Sequence, residues 1–318
     1  MGKIGDVVRG HLRQIGQQAR MMPNFIIIGA GRSGTTSVYQ YLRQHPQVCM
    51  STIKETNYFA FLASQLSGSR ISPLLPWQVT SLEDYQALFR ATKKPLAIGE
   101  ASPFYLFAPG VPDRIKELLP EVRLMAILRD PVERAYSAYI KNLSEGFEGR
   151  SFQQAIEDEI QGRNTTVNTT TCYVRAGQYH NLLSGYLEHF DNAQLQIYFY
   201  DDLVNSPRSF VWSIFTWLGV DANFTPNTSI RFNPGMILPI KKNAGFRRFK
   251  RLSRRLTENL PRDLYFFLHG LQQDIQGKLH RAPELGLEER RFLRGLFIED
   301  IGRLQRLTKR DLSKWLQA

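Results

Sequence analysis

Hydrophobic positions along the chain follow two alternating patterns. Short, mainly apolar runs at 25–28, 48–50, 96–99, 124–128 and 195–200 are typical of buried strands. Segments with helical spacing lie between them, at 35–44, after Pro131 and at 207–218, whereas the Ser, Gly and Pro content of 63–82 predicts an irregular loop. Strands separated by helices favour an α/β fold with a central, mostly parallel sheet and helices on both faces.

The two ends of the chain carry further helical patterns. Residues 4–20 place apolar side chains on one face and arginines on the other, so this segment either packs on its own domain, the simpler interpretation, or lies on an anionic membrane. The last 30 residues also keep helical spacing. The predicted organisation is a basic helical extension over 1–22 and one domain over 23–318.

Composition narrows the classes of function. The chain has 318 residues, 42% of them hydrophobic, which is enough for a full core, and its net charge of +12 indicates a polyanionic partner such as a nucleotide, a nucleic acid, an acidic glycan or a membrane surface. The two cysteines, Cys49 and Cys172, provide neither a disulfide framework nor a zinc site. We see no signal peptide and no apolar run of about 18 residues, so a cytoplasmic enzyme without a transmembrane segment is expected.

A glycine-bearing turn follows the first strand and opens the next helix. In that order of elements, backbone N–H groups and the helix N-terminus converge on an anion. The spacing of Gly29, Gly34 and Thr36 equals that of a nucleoside-triphosphate P-loop, but Thr35 occupies the position of its lysine. The cation is Arg32, inside the loop, which argues against ATP or GTP hydrolysis. A purely structural turn is the alternative.

A second motif, Leu-Arg-Asp-Pro-Val-Glu-Arg-Ala-Tyr-Ser, spans 128–137. Arg129 ends a predicted strand, the place where open α/β sheets bind ligands, and Ser137 lies two turns into the following helix. The alternative is that Arg129 pairs with Asp130 or Glu133 and that Ser137 is a surface residue.

Together the two motifs resemble the sulfotransferase family, and above all its heparan sulfate branch with bacterial relatives. The resemblance continues through 54–59, 99–103 and 311–315 and covers most of 23–318. It implies a P-loop-like, three-layer α/β fold. It also implies transfer of a sulfuryl group from 3′-phosphoadenosine 5′-phosphosulfate (PAPS) to a hydroxyl or amine of a glycan or small molecule. No metal is expected, because the leaving group carries fewer charges than a triphosphate.

The resemblance assigns the donor-binding roles. Arg32 takes the place of the family's loop lysine, which contacts the bridging oxygen and the 5′-phosphate, and the change gives a bulkier, delocalised cation. Arg129 and Ser137 would hold the 3′-phosphate. The residues that would cradle the 5′-phosphosulfate are Ser33, Gly34, Thr35 and Thr36.

The resemblance also points to a general base. Glu55 matches the carboxylate that serves as base in the glycan-sulfating branch, and its alternative is a surface carboxylate paired with Lys54. Glu100 and His180 would be the next candidates. Ala101 stands where that branch often has a lysine near the reacting centre, a departure that leaves the acceptor class open.

The remaining expectations concern the segment that would close over the bound nucleotide and the alternative functions of the protein. Arg247 and Arg248, in the basic run 241–255, are the nearest match to the family segment that closes over the nucleotide, and a solvated face is the alternative. A P-loop kinase or NTPase is the second hypothesis, which magnesium dependence would distinguish. A nucleic-acid-binding module rests on charge alone, and we expect no nucleic-acid partner. The acceptor's identity and the oligomeric state are not predicted.

Overall fold

The structure is a computed structural model that describes residues 21–67, 79–90, 95–145, 147–163, 172–229 and 284–317. The predicted helix at 4–20 and the nucleotide-closing candidates Arg247 and Arg248 lie outside the described residues.

Parallel strands form the centre of the described fold. The five-stranded sheet has the order β2-β3-β1-β4-β5, and every neighbouring pair is parallel. The five predicted strands are confirmed to within two residues at either end. Their bounds are β1 Phe25–Gly29, β2 Val48–Met50, β3 Ala97–Ala101, β4 Arg123–Leu128 and β5 Leu195–Phe199.

Helices connect the strands on both sides of the sheet. The loop predicted over 63–82 is wrong at its ends, because one helix runs through Ser67 and another begins at Leu82. The first of these buries Phe59, Ala60 and Ala63 in the core. The helices are α1 Thr35–Leu42, α2 Tyr58–Ser67, α3 Leu82–Gln86, α4 Val111–Leu118, α5 Pro131–Glu145, α6 Phe152–Ile160, α7 Tyr179–Leu187, α8 Tyr200–Asn205, α9 Pro207–Leu218 and α10 Leu287–Thr308.

The sheet separates two hydrophobic clusters, as strand alternation requires. Ile26 and Leu124 face the larger cluster, which includes side chains of α2, α4, α5, α7 and α10. Ile27 and Met125 face the smaller one, which is covered by α1 and α9. The result is three layers, helix, sheet and helix, which confirms the predicted fold class.

Because all strands are parallel, their carboxyl ends lie along one edge of the sheet. The loops that leave this carboxyl edge carry both sequence motifs, Glu55 and the start of α8. Within the described ranges, no helix is both long and apolar enough to cross a membrane.

Candidate active site

The turn between β1 and α1 is shaped to approach an anion closely. Gly34 occupies the N-cap of α1 with φ 83°, and no side chain caps the helix there. A Cβ at this position would come within 2.6 Å of Leu203 Cδ2, and the positive φ would strain any other residue, so the turn favours glycine. Thr35 and Thr36 form the first turn of α1, where backbone N–H groups point out of the helix. Backbone N–H groups at an uncapped helix N-terminus are the arrangement that approaches an anion.

Ser33 adds a hydroxyl in the same turn. Its residue is fully buried, and its Oγ has no hydrogen-bond partner among the described residues. A buried hydroxyl without a partner is costly, whereas an oxyanion in the loop would accept its hydrogen bond. The turn is thus suited to a bound phosphate or sulfate oxygen.

The structure joins the two motifs directly. Arg32, with φ 70°, donates from Nε to Ser137 Oγ at 3.1 Å. Arg129 donates from Nη1 to the carbonyl oxygen of Arg32 at 3.2 Å. Two guanidinium groups and a hydroxyl, predicted from separate parts of the sequence, therefore form one cluster at the carboxyl edge.

Arg129 has two further neighbours. Its Cζ lies 4.9 Å from the centre of the Tyr200 ring, and its Nη2 lies 3.8 Å from Glu133 Oε2. Asp130 instead caps α5, because its Oδ1 accepts a hydrogen bond from the N–H of Val132 at 2.8 Å. Of the two alternative ion pairs considered for Arg129, the structure contains the one with Glu133, in addition to the contacts with Arg32 and Tyr200. It does not contain the one with Asp130.

Tyr200 is a site residue that the sequence interpretation missed. The sequence pattern predicts this residue as the last position of a strand, but it begins α8 instead. Its ring lies against Arg129 and within 3.2 Å of where a Gly34 Cβ would stand, so it occupies the space between the loop and Arg129. An aromatic face there can stack on a nucleobase.

Glu55 lies on the loop between β2 and α2 with φ 62°, and its N–H donates to the Ala101 carbonyl at 2.8 Å. Its side chain is 55% exposed and pairs with Lys54. The pKa of Glu55 is lowered, mainly by the Lys54 charge and less by Lys141 and Arg32. The carboxylate is therefore ionised at neutral pH and within electrostatic reach of the phosphate loop.

Comparison with known proteins identifies the family. A family model described as "Sulfotransferase family" matches residues 23–226, well over half of the chain. The chain belongs to the sulfotransferase family.

Curated relatives of this sulfotransferase share part of their length with it. Heparan sulfate glucosamine 3-O-sulfotransferase 3B1 of Mus musculus is 27% identical over 232 residues, 72% of this chain and 54% of the relative. Membrane-associated sulfotransferase kil1 of Dictyostelium discoideum is 37% identical over 118 residues, 37% of this chain and 22% of the relative. The chain thus spans between about a fifth and about half of these relatives' length.

A solved structure matches over nearly the whole chain. A crystal structure of a sulfotransferase from Alicyclobacillus acidocaldarius superposes with a TM-score of 0.70 at 25% identity, covering 93% of this chain and 100% of that one. The match extends well beyond the two phosphate motifs, so the likeness includes the framework that holds them.

Glu100, the alternative base, is fully buried beneath the Glu55 loop. Its carboxylate accepts from Thr56 Oγ1 at 2.6 Å, Tyr85 OH at 2.6 Å, Ser102 Oγ at 2.8 Å and Tyr105 OH at 3.1 Å. Burial raises the pKa of Glu100. A side chain enclosed in this way cannot touch an acceptor, so its part is to hold the loop in place.

His180, the other alternative, lies in the first turn of α7, where its N–H donates to Asp300 Oδ2 at 3.0 Å. Its Nδ1 is buried without a partner among the described residues. This nitrogen is shielded from solvent, which does not favour proton exchange with an acceptor. In the described part of the chain, no three His, Cys, Asp or Glu side chains gather as a metal site.

Proposed function

We propose that this sulfotransferase moves a sulfuryl group from PAPS to a hydroxyl or amine of a glycan or small-molecule acceptor. The observation that carries the proposal is the cluster of Arg32, Ser137 and Arg129, which joins a P-loop-like turn to a second anion-binding position. A donor that carries phosphate at both its 5′ and 3′ positions needs two such positions. One relative named above, heparan sulfate glucosamine 3-O-sulfotransferase 3B1, acts on a glycan by its name, which supports a glycan acceptor.

The residues present fit this donor. The Gly34 turn and the partnerless Ser33 hydroxyl suit the 5′-phosphosulfate, together with Thr35 and Thr36. Arg129 and Ser137 suit the 3′-phosphate, because a guanidinium offers a planar fork to two phosphate oxygens. The Tyr200 face between these positions suits the adenine base.

PAPS supplies an activated sulfuryl group whose leaving group is 3′,5′-adenosine bisphosphate. The acceptor oxygen or nitrogen forms a bond to sulfur while the bond between sulfur and the bridging oxygen breaks. Arg32 stabilises the charge that develops on that oxygen. Glu55 takes the proton that the acceptor loses, because it is ionised, exposed and electrostatically coupled to Arg32.

Other parts of the proposal rest on the amino-acid sequence rather than on the structure. Thr35 in place of the P-loop lysine disfavours an ATP- or GTP-dependent kinase, and metal-independent transfer remains part of the proposal. A cytoplasmic location is likewise proposed. Arg247 and Arg248 stay candidates for closure over the nucleotide.

Calorimetry with two nucleotides tests the donor assignment. Wild type should bind 3′,5′-adenosine bisphosphate more tightly than adenosine 5′-monophosphate, with EDTA present. Arg129→Ala should weaken the bisphosphate roughly 10- to 150-fold, since a charge-assisted hydrogen bond is worth about 1.5–3 kcal/mol, and Ser137→Ala should weaken it somewhat less. The monophosphate should hardly respond. Parallel losses for both nucleotides would show that these residues support the fold or the 5′ side.

A further inference from the structure

A negative charge, the Glu133 carboxylate, lies at the proposed 3′-phosphate position. Glu133 lies one helical turn before Ser137 on α5, so the two side chains share a face of the helix. Its Oε2 lies 3.8 Å from Arg129 Nη2, and its side chain is 36% exposed. A carboxylate at this place repels a phosphate dianion and partly neutralises the cation that would bind it.

Glu133 does not orient Arg129. The 3.8 Å separation is too long for a hydrogen bond. Arg129 is held instead by its hydrogen bond to the Arg32 carbonyl and by the Tyr200 ring. Glu133 therefore acts on Arg129 through charge alone.

A second arginine, from a distant part of the chain, holds the same carboxylate. Arg290, in the first turn of α10, donates from Nη1 to Glu133 Oε1. One turn later on α10, the buried Arg294 lies with Nη2 3.7 Å from Asp130 Oδ2. The start of α10 thus presents two arginines to the two acidic residues of the second motif.

We infer that Arg290 sets the affinity of this sulfotransferase for the 3′-phosphate by engaging Glu133, which competes with that phosphate for Arg129. The inference rests on the proposed donor. Arg290 contacts neither Arg129 nor the loop in the described structure. It is therefore a specificity-determining residue that acts through Glu133.

The charges define the expected effects. Glu133→Gln removes a like charge from beside the phosphate and leaves Arg129 in place, so the bisphosphate should bind about 3- to 10-fold more tightly. Arg290→Gln frees Glu133 to pair with Arg129 and should weaken binding by a similar factor. In the double variant the Arg290 change should matter less than about 2-fold, because the carboxylate on which it acts is gone.

The experiment is a double-mutant cycle by calorimetry with 3′,5′-adenosine bisphosphate and adenosine 5′-monophosphate at one ionic strength. Arg291→Gln is the matched control, since it removes an exposed arginine next to Arg290 on α10 without a contact to Glu133 in the described structure. It should leave both affinities unchanged. The monophosphate should respond little to any of the four variants.

Two results would overturn the inference. One is a Glu133→Gln protein that binds the bisphosphate no more tightly than wild type. The other is an Arg290→Gln loss that persists in full in the double variant. If Arg290→Gln fails to fold, the Glu133→Gln result decides alone. A wild type that does not prefer the bisphosphate over the monophosphate would instead refute the proposed donor.

Discussion

Replacing Glu100 by Gln tests how the loop that carries Glu55 is held. Glu100 is fully buried at the end of β3, and four hydroxyl groups donate to its two carboxylate oxygens. One of them belongs to Thr56, directly after Glu55, and another to Ser102, whose Oγ accepts the N–H of Asn57 at 3.2 Å. Glu55 and Asn57 both have left-handed backbones, so the loop depends on such contacts.

The size of the effect follows from counting acceptors. Gln keeps one oxygen and places an NH₂ group where the other oxygen stood. On the acidic side Glu100 is protonated and already donates one hydrogen bond, so Gln, whose NH₂ group cannot accept, takes an acceptor from at most one further hydroxyl. At about 0.5–1.5 kcal/mol for that hydrogen bond, the expected loss of unfolding free energy is about 0.5–1.5 kcal/mol on the acidic side.

The loss should depend on pH with a definite sign. Burial raises the pKa of Glu100 above its ordinary value of 4.5, so the folded protein holds this proton more tightly than the unfolded chain. The corresponding stability is fully present below the unfolded pKa and is lost as pH rises through the folded pKa. Gln does not titrate. The cost of Glu100→Gln should therefore be largest near pH 4.5 and smaller near pH 8.

Urea unfolding of wild type and variant at several pH values measures this difference. Glu121→Gln, at an exposed position, is the control and should change stability by less than about 0.5 kcal/mol at every pH. A cost that grows as pH rises would refute the reasoning. It would mean that the four hydroxyls outweigh burial and keep Glu100 ionised in the folded protein.

Two further predictions concern the chemistry itself. Glu55→Gln should lower kcat about 10²- to 10⁴-fold with nearly unchanged affinity for 3′,5′-adenosine bisphosphate, measured by radiolabelled transfer and calorimetry; near-normal turnover on the true acceptor would exclude Glu55 as the base. Arg32→Ala should reduce kcat more than it weakens binding of the product nucleotide, because the leaving oxygen gains charge only as the S–O bond breaks. Equal losses in both quantities would show that Arg32 only binds.

Short stretches of sequence were sufficient to predict those elements whose structure depends on neighbouring residues alone. The strands are apolar because both faces of the sheet are covered, so their positions could be read from short runs. The turn from Gly29 to Gly34 could be placed because a strand, glycines and a helix start follow one another directly. The Ser, Gly and Pro content of 63–82 predicts a loop, yet α2 continues to Ser67, and its residue Ala63 packs in the core, where tertiary contacts outweigh weak local preference.

Contacts between distant segments could not be predicted in the same way. Tyr200 looked like the end of an aromatic strand, and only the tertiary structure brings its ring to Arg129. The pairing of Glu133 with Arg290 joins residues 157 positions apart. No spacing rule connects such partners, because charges on two helices meet only where the helices pack.

The C-terminal segment shows how the site depends on such distant support. Trp315 packs against Phe199 and Tyr179, and the Tyr179 hydroxyl donates to the Arg129 carbonyl at 2.9 Å. Arg310 places both Nη atoms on the Asp202 carboxylate, at 2.6 and 2.7 Å, next to the start of α8. The end of the chain therefore braces the strand ends that carry Arg129 and the helix that begins with Tyr200. The groups proposed to hold the two phosphates lie in short motifs, because each loop must present several of them at once. Groups that orient them need only reach the same edge of the sheet, so they can come from any part of the chain.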